Sequence, residues 1–166
     1  MPPSHAMSAF RESLYDRLAV SLSTGTAASL LSMLALALRG RAETGSAAAP
    51  FNAISHWLYG SRALRLDTAD ARHTALGALV HFASSMFWGA VYDQLVCRRE
   101  PRPPPAGLVA GAVGVAGLAA VTDFALVPER LTPGFEHRLS QRSLVLTYAL
   151  FAAGLALGAL AAQRRR

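Results

Sequence analysis

His81, Ser85, Trp88 and Tyr92 follow one another at spacings of four, three and four residues, so on an α-helix they share one face, with Ser84 at its border. They fall in a stretch of 20 residues without a charge, between Arg72 and Asp93. Hydrocarbon offers no partner to an imidazole, a hydroxyl or an indole N–H, so such a stripe is expected to face the interior of a bundle. Asp123 is the carboxylate that invites chemistry with it. Reflecting a helical hairpin about residue 102 brings Asp123 to the depth of His81, and a buried His–carboxylate pair is a unit that can relay protons. Plain interhelical hydrogen bonding, worth about 0.6–2 kcal/mol per contact, accounts for the same stripe without transport. Asp93, a turn before Arg98 and Arg99, is expected to form a structural ion pair.

Signatures of catalysis are missing. The sequence has no HExxH, no Gly-x-Ser-x-Gly and no phosphate-binding glycine loop. Its single cysteine, Cys97, cannot form an internal disulfide or a paired-cysteine metal site. One histidine in a membrane span leaves a bis-histidine haem without its second ligand. His56, His73 and His137 have no ligand spacing among themselves or with His81. We therefore expect no enzyme, no cofactor and no metal.

The elements that position these residues are set by charge. Four windows of 20 or 21 residues carry none: Arg17 to Arg39, Arg72 to Asp93, Arg102 to Asp123 and Arg142 to Arg164. A bilayer core about 30 Å thick needs roughly 20 apolar residues of helix. A soluble bundle would need a charged face on each helix, and overall charge is only 16% against 52% apolar residues. The expected fold is all-α: a polytopic membrane bundle in one domain, residues 1–166, with four transmembrane helices over about 18–38, 75–96, 106–127 and 144–162. Residues 1–17 read as a short amphipathic or disordered lead. The first window reads as a retained helix, since its apolar run exceeds a signal-peptide core.

The connections also carry signals. Pro50 to Gly60 reads as a short helix opened by proline and closed by glycine. Asn52, His56 and Tyr59 form one stripe of it and Phe51, Ile54 and Leu58 another. It is too short to span, so an interfacial helix over 50–60 is expected on the outer surface, with Trp57 and Tyr59 in the aromatic belt. Asp67 is expected to cap the second span and Ser140 the fourth. The proline-rich loop at 101–105 implies that the second and third spans are antiparallel neighbours. Gly107, Gly111 and Gly114, and Gly154 with Gly158, supply small faces for packing within the bundle or for self-association. On an ideal helix Asp123 points roughly 150° away from the first of these stripes.

The stretches Asn52 to Gly60, His81 to Trp88 and Val127 to Glu136 together resemble a family of small bacterial inner-membrane proteins of uncharacterised activity. The resemblance implies an inner-membrane location and a helical bundle, and brings no substrate or catalytic residue. All 16 basic residues are Arg, scattered between the windows and at the end. That pattern fits headgroup anchoring, not a nucleic-acid face. Partners are then the lipid bilayer and other membrane proteins. Arg density near the span ends places both termini in the cytoplasm. Two function classes stand: a non-catalytic structural or accessory membrane protein, and a small proton-linked transporter using the polar face of the second span.

Overall fold

The computed structural model describes residues 4–99 and 101–164, with side chains from Ala19 onward. Arg11, Arg17, Arg165 and Arg166, which enter the orientation argument, lie outside the described side chains. Among the described residues the regular structure is all helical, without a strand. Six α-helices occur in order: α1 (Ser4–Thr44), α2 (Ala49–Ile54), α3 (His56–Tyr59), α4 (Leu76–Tyr92), α5 (Pro105–Val121) and α6 (Gln141–Gln163). Single π-helical turns extend α4 at both ends, Ala71–Ala75 and Asp93–Cys97, and α5 at its end, Thr122–Leu126. Four helices are long and apolar enough to cross a membrane: Ala19–Thr44, Ala71–Cys97, Pro105–Leu126 and Gln141–Gln163. The chain is thus an all-α bundle of the multi-pass membrane class, with the first, second and fourth spans longer than expected and the third of the expected length. The lead is not a separate element, because helix runs unbroken from Ser4 into the first span.

Many large apolar side chains face outward and a set of small polar residues is buried, unlike a soluble bundle. Leu22, Leu30, Leu34, Leu38, Leu79 and Phe87 are exposed, while Thr24, Ser29, Ser32, Ser85, Ser143 and Thr147 are buried. Lipid removes the hydrophobic drive for helices to associate, so close backbone approach must do the work. A Cβ added at Gly154 would sit 2.4 Å from the Ala28 Cα, and one at Gly158 would sit 2.6 Å from the Thr24 Cα. The Gly154/Gly158 motif therefore seats α6 on α1 within the chain. On the other side of α1, a Cβ at Gly89 would lie 2.7 Å from the Gly25 Cα. The lateral order is α4, α1, α6, α5.

This order corrects the expected hairpin. α4 and α5 meet chiefly beside their connecting loop, where the Tyr92 hydroxyl donates to the Leu108 carbonyl at 2.8 Å and Gly111 lies against Val96. Toward their other ends a cleft separates them. Gly114 faces open space, so the glycine stripe of α5 is not a continuous seam on any helix.

The segment 50–60 is also corrected. It is two short helices, and α2 is buried throughout instead of lying on a surface. The Phe51 carbonyl sits where a Cβ of Gly77 would be, at 1.8 Å, which pins α2 on α4. Phe51 and Ile54 join Leu36, Phe135 and Leu139 in a core that closes this end of the bundle. Asn52 is fully buried and spends its amide on the next loop: its nitrogen donates to the carbonyls of Leu66 and Thr68, both at 3.0 Å, and its oxygen accepts from Thr74 at 2.6 Å. Those bonds remove the cost that made a buried asparagine look unlikely from sequence. The buried His56 uses Nδ1 against the Ala53 carbonyl at 2.8 Å. Tyr59 alone of the stripe keeps polar company outward: its ring stacks edge-on with His73, and the Arg72 guanidinium lies 4.5 Å above it.

Two helix caps are reassigned. Asp70, not Asp67, caps the second span, accepting from the His73 amide at 2.6 Å. Asp67 instead pairs with Arg138. At α6, Ser140 stands at the N-cap position without a capping bond of its own. Glu43 from the end of α1 supplies the negative charge there, accepting from the Ser140 amide at 2.6 Å and from the hydroxyls of Ser140 and Ser143.

Candidate binding cleft between α4 and α5

A cleft of about 460 Å³ lies between α4 and α5, roofed by α2, α3 and the 127–135 loop. Its walls carry His81, Ser84, Ser85 and Trp88 from α4, Thr122 and Asp123 from the turn ending α5, and Thr147, Tyr148 and Phe151 from α6. Four of the five residues expected to form a polar site, His81, Ser85, Trp88 and Asp123, therefore share one cavity. Tyr92 does not. It is fully buried below the cleft, in the core of Val96, Leu108, Val115 and Phe151, and ties α4 to α5 through Leu108.

His81 and Asp123 line the same cleft, but each is held by a different helix. His81 Nε2 lies 2.8 Å from the Ser32 hydroxyl on α1, and its other ring nitrogen has no protein partner among the described residues. Asp123 accepts from the Tyr148 hydroxyl on α6. The π turn Thr122–Leu126 explains how the carboxylate clears the packed face of α5, since a π turn widens the helix and rotates the side chains within and beyond it. Ser85, Thr122 and Thr147 donate to their own helix carbonyls at 2.8–2.9 Å, so their hydroxyls line the wall without leaving an unsatisfied donor.

Sequence reasoning missed several participants. Ser32 belongs to a row of small residues on α1, Ser21, Thr24, Gly25, Ala28, Ser29 and Ser32, whose three- and four-residue spacing is the signal for an interhelical face. Tyr148 gave no signal beyond being a phenol in an apolar window. Glu136 has one carboxylate oxygen buried without a hydrogen-bond partner among the described residues, and lies close enough to Asp123 and Tyr148 to act on both electrostatically. Trp57 sits in the roof with its indole N–H donated to the Thr132 carbonyl at 2.7 Å, so it is held by the loop and not by headgroups.

Away from the cleft, Asp93 is buried and paired with Arg98 at 2.7 Å, with the Ser21 hydroxyl 3.3 Å away. It is the structural pair expected from the spacing, and Arg99 takes no part, donating instead to the Leu95 carbonyl. Among the described residues no three His, Cys, Asp or Glu side chains gather as a metal site.

Fold and site together define a multi-pass α-helical membrane protein with a side cleft that carries an imidazole and a carboxylate. Comparison with protein-family models, with curated proteins and with solved structures found no match.

Proposed function

We propose that this protein is a small proton-linked membrane transporter whose working site is the cleft between α4 and α5, with His81 and Asp123 as its titratable groups. One observation carries this reading. The two groups line one cavity yet are fixed by separate neighbours, Ser32 and Tyr148, not by each other. A His–carboxylate pair kept only to set helix register would bond to itself. Here the cavity is left between them, and about 460 Å³ is within the range of small-molecule sites.

The location proposed is the bacterial inner membrane, with both termini cytoplasmic. Four spans put the two ends on one side, and Arg98, Arg99, Arg102 and Arg164 lie close to span ends on that side. A periplasm-only reporter fused after Arg166 is expected to be silent; an active fusion reverses the orientation.

The transport reading is tested by access. In a Cys97→Ala background in liposomes, Ser84→Cys is expected to react with a membrane-impermeant maleimide, at a rate that changes when a pH gradient is imposed. A Ser84→Cys that stays unlabelled at any pH overturns it and leaves the structural or accessory class, in which the polar residues only hold the helices together.

A further inference from the structure

We infer that the cleft between α4 and α5 takes a lipophilic organic cation. The inference rests on the cleft being the working site and names its ligand class. Its first support is charge. The acid at the cleft wall is Asp123, with Glu136 behind it. No Arg lines the cleft: Arg138 is committed to Asp67 and the Leu64 carbonyl, Arg39 to Glu43 and Ser143, and Arg130 of the roofing loop is exposed to the outside. Glu136 has His137 Nε2 3.8 Å from one oxygen, but Asp123 is bonded only to the neutral Tyr148 hydroxyl, so the carboxylate that lines the cleft can be served by a mobile cation.

The second support is the orphaned oxygen. Glu136, just outside the lining, has Oε2 buried and accepting nothing from the described residues while its Oε1 lies 3.8 Å from His137 Nε2, so one acceptor stays open beside Asp123. The third is the wall. Trp57, Trp88, Phe87, Phe135, Phe151 and Tyr148 put six aromatic rings around a space whose anchoring charge is negative. Aromatic faces attract cations and accept apolar substituents, but give nothing to an anion. Inorganic cations are a poor fit, because the wall offers too few oxygens to replace a hydration shell. Finally, Phe87 on the cleft wall is 61% exposed on the surface that the long apolar helices turn to lipid, which suits a guest arriving from the bilayer.

Two ions of nearly the same shape and opposite charge test this. The protein in zwitterionic nanodiscs is dialysed against tetraphenylphosphonium or tetraphenylborate, and partition into empty nanodiscs is subtracted. Saturable binding of tetraphenylphosphonium is expected, with quenching of tryptophan fluorescence, and none of tetraphenylborate. Asp123→Asn is expected to weaken the cation at least tenfold and Glu136→Gln several-fold. Equal binding of both ions, or of neither, overturns the inference, as does a folded Asp123→Asn that binds like wild type. If Asp123→Asn fails to fold, the comparison of the two ions on the wild-type protein decides by itself. Ser84→Cys that labels while tetraphenylphosphonium does not bind removes the ligand class and leaves the transport reading. An unlabelled Ser84→Cys removes the transport reading whichever ion binds.

Discussion

The His81 imidazole is bonded to Ser32, 49 residues earlier on α1, at 2.8 Å, while Asp123 across the cleft is held by Tyr148. This arrangement makes the energetic coupling of the site predictable. His81→Ala and Ser32→Ala should be non-additive in detergent unfolding, with a coupling of about 0.5–1.5 kcal/mol. His81→Ala and Asp123→Ala should add. Coupling between His81 and Asp123 as large as that to Ser32 would mean that the two close on each other, and would take away the main support for a working cleft.

The glycines give a test of the helix order. Gly158→Leu must push the Thr24 backbone, only 2.6 Å from the new Cβ, and is expected to destabilise the protein by about 1–3 kcal/mol or more. Gly114→Ala meets nothing within 4 Å and should be neutral or stabilise by up to about 1 kcal/mol through helix propensity. Thermal unfolding in detergent measures both. Equal costs at the two positions would contradict the seating of α6 on α1.

Much of this frame was legible because a bilayer imposes it. Charge-free windows of fixed length mark helices whatever they pack against, and Asp93 with Arg98 is a local pair that spacing alone can specify. Gly154 and Gly158 could be read as a packing face for the same reason. The choice of which helix packs on which could not be read. Ser32 and His81, Glu43 and Ser140, and Asp123 and Tyr148 are joined across 49, 97 and 25 residues, and the sequence holds no term that ranks neighbours. The short 101–105 loop suggested that its two helices pack along their length, whereas they share only its end. Asn52 and His56 looked interfacial because polarity usually means water, yet their partners are backbone carbonyls supplied by the loop and by Ala53.

Asp70 gives a pH prediction outside the membrane spans. The His73 amide, donating to its carboxylate, holds Asp70 below the usual carboxylate range, and the His73 side chain adds to this. A depressed carboxylate contributes fully above its unfolded value of about 3.9 and loses that contribution as pH falls through the lower folded value. Hydrogen-exchange protection of the His73 amide should therefore drop in acid below about pH 4. Asp70→Asn, which can still cap but does not titrate, should flatten the drop. An unchanged profile in that variant would place the acid sensitivity in another group.

Glu43 serves the N-terminus of a helix 97 residues away, so its loss should be felt there. Glu43→Gln keeps the shape but removes the negative charge from the positive end of α6 and from Arg39. A loss of about 1 kcal/mol is expected, the usual worth of a helix cap, together with faster hydrogen exchange at Ser143 and Leu144. Stability and exchange that match wild type would show that Ser140 and Ser143 cap the helix without it.

Asn52 tests whether the end of the bundle closed by α2 is held by one buried amide. Its nitrogen serves two carbonyls and its oxygen the Thr74 hydroxyl, and all three partners lie in or beyond the loop after α3. Asn52→Leu keeps the branch at Cγ and, being larger, opens no cavity while it removes the hydrogen bonds. Two backbone acceptors and one hydroxyl would lose their partner, at about 1–3 kcal/mol for each group left buried. The carbonyls of Leu66 and Thr68 can escape that cost by turning to water, which means releasing the loop. Arg62 and Arg65 in that loop are already accessible to solvent in part or in full, so trypsin has sites to cut once the backbone can extend. Asn52→Leu in liposomes is expected to be cleaved at these arginines several times faster than the wild type, while Arg138, tied to Asp67 and the Leu64 carbonyl, becomes susceptible next. Cleavage at the wild-type rate would mean that the Arg138–Asp67 pair, not Asn52, holds the loop against the bundle.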